Sequence, residues 1–485
     1  MYFNFPLLIL TSKLVILFIA VLFILFYIKI KFFKIKIHFL DNNFYERHIK
    51  FYDLNGIIHF HSTYSDGSGK IENLIKIAKK LKADFLISSD HNTLKPKYDG
   101  LEGYYENLFY FAGEEINTEF GHFLALGIKD EIKRGDYKDV LLNIKKQNGA
   151  GIICHPYNWW TPWKNFSVSG YNGIEIINLD SQWRGMNPLY ILLVLITYKI
   201  NSFYSLHFLA HKPKKTLKFW DSVQKHNRMI TGIASIDAHS NVKISKKIRV
   251  HFPKYEELFS VARTHLLLDR KFSGNNNNIE EDKSLIVKAI KKGSCYFSFD
   301  LLGKPEGFYF EAEAVKQNKK NEYFASGDTI NLKKMKNEIQ YINFYSGINI
   351  NHKKTNYEII LYKNGKELNR VKNSAIKYKY EIKNTRSISS QHSDAAEESK
   401  DSVKPSQHNV PSQSDKVADI YMQGNIDIKN KNCDNDNDDK DIKIIRDFIN
   451  NNKPESSNFY RVEINIIKGY KKIAYLYSNN IEIFG

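Results

Sequence analysis

Seven short apolar runs lie between residues 56 and 236, and most of them end at, or directly beside, histidine, aspartate or glutamate. Gly56–His61 carries His59 and His61, Phe85–Ser88 runs up to Asp90-His91, and Leu108–Phe111 leads to Glu114-Glu115. His122 opens Phe123–Gly127, Gly151–Cys154 stops at His155, Ile174–Leu179 stops at Asp180, and Met229–Ile236 stops at Asp237-Ala-His239. Apolar residues at helical spacing over Ile71–Leu81 and Val140–Ile144 separate some of these runs. Strands alternating with helices predict a parallel α/β arrangement. In α/β barrels the working residues sit on the loops that follow each strand, which is where these polar groups fall.

Nine side chains stand out as possible metal ligands: His59, His61, Asp66, His91, Glu115, His122, His155, Asp237 and His239. Imidazole and carboxylate are the groups that hold transition metals with open coordination positions, so the pattern predicts a multi-metal catalytic site. On a strand, His59 and His61 point to the same face and can share one ion.

The formal charge of +18 favours contact with polyanions such as nucleic acid, anionic lipid or phosphorylated substrates. The chain is also rich in Lys, Asn and Ile together, so the charge reads first as a compositional bias. Cys154, Cys295 and Cys433 fit neither a zinc motif nor a disulfide framework. Cys154 and Cys295 lie in apolar runs and read as buried free thiols.

Leu14–Ile28 is unbroken apolar sequence, preceded by Phe5–Ser12 and Lys13. No small-residue cleavage site follows it; Lys29, Lys31, Lys34 and Lys36 follow instead. The expectation is a single-pass transmembrane helix over residues 5–30, with the catalytic part on the cytoplasmic side by the positive-inside rule. A second apolar run, Leu189–Thr197, is too short to span and is expected to be a buried helix of the catalytic domain.

After about residue 295 the chain breaks into short strand-like segments, with Lys363-Asn-Gly-Lys366 as a hairpin signal. An all-β sandwich is expected over residues 301–485, interrupted by a polar, disordered stretch at about 386–441.

The ordered set His59-x-His61, Ser65-Asp66-Gly67, Asp90-His91, Glu115, His122, His155-Pro156 and Asp237-x-His239 resembles the polymerase and histidinol phosphatase (PHP) superfamily. The resemblance covers roughly residues 53–300. It implies a distorted (β/α)7 barrel of PHP type that holds up to three divalent metals (zinc, manganese or iron) and hydrolyses phosphoesters with metal-activated water. Carried over by position, it implies one metal on His59, His61, Glu115 and Asp237. Glu115 would bridge to a second held by His122 and His155, and Asp66, His91 and His239 would hold a third. The family spacing Gly-x-Glu points to Glu115 rather than Glu114, and Asp90 reads as a residue that orients its neighbours. Glu115 as the bridging carboxylate and Asp237 as a proton acceptor near the nucleophile are the expected catalytic groups.

Trp159, Trp160 and Arg184 are candidate substrate contacts, two indoles for stacking and a guanidinium for a phosphate. The expected substrate is a phosphorylated small molecule or a nucleic acid 5′ end, and the lipid bilayer is the expected partner of the N-terminal helix. Two other functions fit the sequence: a 5′→3′ exonuclease on RNA or DNA, and a non-catalytic metal-binding scaffold at the membrane.

Overall fold

The computed structural model describes residues 5–40, 47–227, 229–243, 249–335, 338–382 and 457–484. The polar stretch expected to be disordered and Cys433 lie outside the described residues. So does the unit Ile382–Ile444, apart from its first residue.

The apolar runs become strands of one mixed sheet. In chain order they are β1 (Tyr52–Ile58), β2 (Phe85–His91), β3 (Gly103–Tyr105), β4 (Leu108–Thr118), β5 (Gly121–Leu126), β6 (Ala150–Ile153), β7 (Gly173–Asn178) and β8 (Thr231–Ser235). β1, β2 and β4 pair in parallel, as do β6, β7 and β8. The parallel arrangement expected from the sequence holds for these strands and is interrupted at β5, which is antiparallel to both β4 and β6. Only Glu119 and Phe120 separate β4 from β5, and a link that short can make a hairpin but no crossover.

The two ends of this series meet. Beyond β8, the Ile236 N–H donates to the Ile58 carbonyl (3.0 Å), and the His61 N–H donates to the Ala238 carbonyl (3.0 Å). The first half of β1 is instead paired, antiparallel, with Arg263–Leu268. The interior is aliphatic and aromatic: Ile58, Phe85, Ile87, Phe109, Phe111, Leu124, Ile152 and Ile233 form one cluster that also takes in Cys154 and Cys295. The helix Ile279–Lys292 contributes Ile286, Val287, Ala289 and Ile290 to it, and Ile71–Lys80 buries Ile71, Leu74, Ile75 and Ala78 while leaving Lys76 and Lys80 outward.

The β-rich segment after residue 301 joins the same sheet. Lys471–Ser478 pairs antiparallel with Cys295–Ser298, and the Asn479 side chain bonds both the N–H (2.7 Å) and the carbonyl (2.9 Å) of Gly232. A separate four-stranded sheet (Tyr309–Lys316, Glu322–Ala325, Ile339–Gly347, Ile376–Glu381) stacks Phe344 on Tyr460 at 4.4 Å. The Asn364-Gly365 turn has φ of 51° and 77°, the left-handed pair that a tight hairpin requires, and joins Asn356–Lys363 to Lys366–Lys372.

Phe5–Lys31 is a continuous helix through Lys13. Its span Lys13–Lys31 is long and apolar enough to cross a membrane, with a mean hydropathy of 2.6 and 6% of that window buried. The run Leu189–Thr197 forms the helix Pro188–Tyr198, but the expected burial is wrong: Leu189, Leu192 and Ile196 are exposed, and only Val194 and Thr197 are buried.

Candidate metal centre

β1 stops at Ile58, so His59 and His61 stand on the loop after the strand rather than within it. His59 (φ 64°), His155 (φ 27°) and Asp237 (φ 51°) all take left-handed backbone, which is costly for residues with a Cβ. The turn at each strand end aims the side chain inward. Gly67 is required by close approach, since a Cβ there would meet the His61 carbonyl oxygen at 2.2 Å.

Glu115 is the hub. Its Oε2 lies 3.1 Å from His61 Nε2, 3.2 Å from His59 Nε2 and 3.2 Å from His91 Nδ1. Its Oε1 lies 2.7 Å from His122 Nδ1 and 3.0 Å from His155 Nε2. Asp237 Oδ1 stands 3.4 Å from His61 Nε2, 3.5 Å from His59 Nε2 and 3.6 Å from His239 Nδ1. Asp66 Oδ1 completes the set, 3.3 Å from His239 Nε2, 3.7 Å from His61 Nδ1 and 3.8 Å from His91 Nε2. All nine candidate ligands therefore meet in one cluster. Glu114 lies on the other face of β4, where it accepts the Ile132 N–H (3.0 Å), and burial pushes its carboxyl up to about 8.

Ligand atoms gather in overlapping groups: His59, His61, Glu115 and Asp237; His61, Asp66, His91 and His239; His91, Glu115 and His122. His155 groups with Glu115 and Cys154. Burial raises the Cys154 thiol well above its usual range, so it stays protonated beside the cluster.

Two residues that the sequence reading passed over hold the cluster in place. Glu175, on β7, accepts a hydrogen bond from His59 Nδ1, takes the His155 N–H at 2.8 Å, and is bonded by Asn178 Nδ2 at 2.9 Å. An acid in the middle of the apolar run Ile174–Leu179 was a usable signal, because a buried carboxylate must find partners. Tyr255 gave none; its hydroxyl accepts the Ser68 N–H and lies 2.8 Å from the carbonyl oxygens of both His61 and His239. Asp90 accepts the Ser62 N–H (2.8 Å) and the Ser65 hydroxyl (2.7 Å), which shapes the loop after His61.

The donor set fits divalent cations. With Nδ1 bonded to Glu175, a neutral His59 turns the lone pair of Nε2 toward two carboxylates and toward His61 Nε2 at 3.3 Å. That array repels itself unless positive charge lies between the groups. Glu115 Oε2 and His91 Nδ1 are buried without a hydrogen-bond partner. The separations of 3.1–3.5 Å around His59, His61, Glu115 and Asp237 suit ligands about 2.1 Å from a shared ion. Without an ion the cluster draws protons. Burial works to lower His61, but Asp237 and Glu115 outweigh it and raise it to about 10, while Glu115 with Asp237 and Glu175 raises His155 to about 9.

Trp159, Trp160 and Arg184 follow His155 in the chain and belong to none of the ligand groups. The two indoles are exposed, and the Arg184 guanidinium lies over Trp160 at 5.1 Å while its Nε bonds Asp180. Trp163 is buried.

No protein-family model matches the chain. An uncharacterized protein of Methanocaldococcus jannaschii is 29% identical over a 115-residue alignment that covers 21% of this chain and 67% of that protein. Among solved structures, a two-domain protein of Bacteroides vulgatus containing a predicted PHP-like metal-dependent phosphoesterase is 15% identical. That match covers 72% of this chain and 89% of the other at a TM-score of 0.28. A Bifidobacterium adolescentis protein, whose name also predicts a metal-dependent phosphoesterase, is 13% identical over 38% of this chain and 87% of its own, with a TM-score of 0.23. An amidohydrolase of Chromobacterium violaceum, solved with sulfate and no metal, is 10% identical over 38% and 87%, also at 0.23.

Proposed function

We propose that this protein is a divalent-metal-dependent phosphoesterase of PHP type, with up to three metals held by the nine clustered side chains. The observation that carries the reading is Glu115, whose two oxygens each face imidazoles from different strand ends. A carboxylate so placed suits bridging between two ions, with His59, His61 and Asp237 on one side and His122 and His155 on the other. Asp66, His91 and His239 are the ligands assigned to the third. Zinc, manganese and iron suit this mixture of imidazole and carboxylate.

When bound, the metals would supply Lewis acidity toward a phosphoryl oxygen and acidify a water from about 15.7 to roughly 7. The chain's own contribution is positional. Glu175 fixes the ring and the tautomer of His59, and Asn178 holds Asp237 through its Oδ2 (3.1 Å), which leaves Oδ1 as the oxygen that faces the cluster. The meeting of β8 with β1 supports a distorted seven-stranded barrel, and residues 301–485 are read as an accessory β-sandwich, one of whose sheets continues that of the barrel. Phe5–Lys31 is read as a single-pass membrane anchor, and the lysines after it support a cytoplasmic catalytic domain.

A 5′→3′ exonuclease is the second reading, favoured by the exposed Trp159 and Trp160 with Arg184 beside them. The full chain, purified in detergent, should carry divalent metal and hydrolyse at least one of three substrates: nucleoside monophosphates, 5′-phosphorylated oligonucleotides or a generic phosphodiester. Protein that binds no metal, or metal-loaded protein inert on all three, ends the phosphoesterase reading. Bound metal without turnover would instead favour the scaffold.

A further inference from the structure

The helix Pro188–Tyr198 carries Leu189, Leu192 and Ile196 at 75%, 54% and 60% exposure. Eleven residues reach only about 16 Å, roughly half the hydrocarbon thickness of a bilayer, so the helix cannot cross one. A helix that turns its leucines outward needs a partner for that face.

Its position says which partner. At its C-terminal end the chain turns at Asn201, whose side-chain amide donates to the carbonyls of Ile30 and Phe33, 2.9 Å each. Ile30 belongs to the last turn of the apolar helix Phe5–Lys31, and Phe33 packs edge-on against Tyr204 at 5.0 Å. The bare helix is thus tied to the point where the long apolar helix ends. Between them opens a cleft of about 1200 Å³. Among the described residues, Lys31, Lys34, Lys199 and Lys254 line it against a single carboxylate, Glu257. The rings of Tyr198 and Phe252, 4.5 Å apart, form part of its wall. Apolar side chains, aromatic rings and lysines at the foot of an apolar helix match the layers of a bilayer surface: acyl chains, the interface and lipid phosphates.

We propose that Pro188–Tyr198 lies in the interface of an anionic phospholipid bilayer, with its leucine face among the acyl chains and the lysine-lined cleft on the lipid phosphates. This rests on reading Phe5–Lys31 as a membrane helix. It gives the protein a second membrane contact, which fixes how the catalytic part is presented to the surface rather than leaving it tethered by one helix.

The test is photolabelling of the full chain in phosphatidylcholine vesicles containing phosphatidylglycerol, using a diazirine on the acyl chain, with sites mapped by mass spectrometry. Label should appear in Phe5–Lys31 and also in Pro188–Tyr198, the latter roughly tenfold above the surface helix Tyr137–Lys146. Label in Phe5–Lys31 with none in Pro188–Tyr198 overturns this proposal and leaves the anchor standing. Label in neither overturns both. With a diazirine-bearing leucine analogue placed at position 192 instead, chain-to-chain cross-links in place of cross-links to lipid would assign the face to a second copy and also overturn it. The triple variant Lys34→Gln, Lys199→Gln, Lys254→Gln should lose labelling of Pro188–Tyr198 several-fold while keeping that of Phe5–Lys31. Labelling unchanged by that variant overturns the role of the cleft.

Discussion

Glu175 and His59 share a buried hydrogen bond through His59 Nδ1, and that bond leaves Nε2 as the only nitrogen His59 can offer to Glu115, Asp237 or an ion. Residues that orient a ligand in this way usually change metal affinity by about 10–100-fold when removed. Glu175→Gln should therefore weaken metal binding by that order while the protein stays folded. Chelator competition measures it, and unchanged affinity would remove Glu175 from the centre.

Replacing His59 and His61 together with Ala takes two imidazoles from the group that also holds Glu115 and Asp237. Metal content and turnover should both vanish, while circular dichroism persists, because backbone bonds such as Ile236 N–H to Ile58 do not involve these rings. Turnover surviving in the double variant would mean that the chemistry lies elsewhere.

Metal removal should cost stability as well as activity. An ion held at about a thousand times its dissociation constant contributes roughly 4 kcal/mol to the folded state. A chelated sample should melt several degrees lower, and added metal should restore it. A Tm indifferent to chelation would show that no ion is bound to the folded chain.

His265 lies away from the cluster, its Nδ1 3.0 Å from Asp53 and its Nε2 3.2 Å from Asp300. Burial works to lower its pKa, but Asp300 and Asp53 outweigh it and raise it to about 9. A raised folded pKa gives stability that is complete below about 6.5, the unfolded value, and lost as pH rises through about 9. The loss is on the order of 3 kcal/mol. Unfolding of the full chain in detergent should follow that fall, and His265→Gln should flatten it. An equal slope in the variant would refute the assignment.

Trp159→Ala with Trp160→Ala separates the two substrate readings. Base stacking on an aromatic ring is worth about 1–3 kcal/mol per base, so an exonuclease should lose oligonucleotide binding at least tenfold and keep its activity on mononucleotides. Equal effects on both substrates would remove stacking from the site.

Much of the catalytic segment was legible in the chain itself. Each of the seven short runs that carry or adjoin the candidate ligands became strand, because short β-branched and aromatic segments bounded by glycine and polar residues have few other places to go, whereas the longer run Leu189–Thr197 became helix. The nine candidate ligands could be picked out by type and by their place at or beside strand ends. Orientation was harder. The period of a strand suggested that His59 and His61 share a face, yet both stand past the end of β1, and they converge because His59 takes left-handed backbone. Glu175 was visible only as an acid in an apolar run, and Tyr255, which ties His61 to His239, was not visible at all.

Local sequence by itself determined the strands, the long apolar helix and the inventory of imidazoles and carboxylates, since backbone propensity and hydrophobic pattern act over a few residues. Tertiary structure alone decided that five histidines from four separated segments would face the two oxygens of one glutamate. It also decided that Pro188–Tyr198 would keep its leucines outside. Those outcomes depend on which strands become neighbours, and pairing between segments far apart in the chain is set by the packing of the whole sheet, not by any short stretch within it.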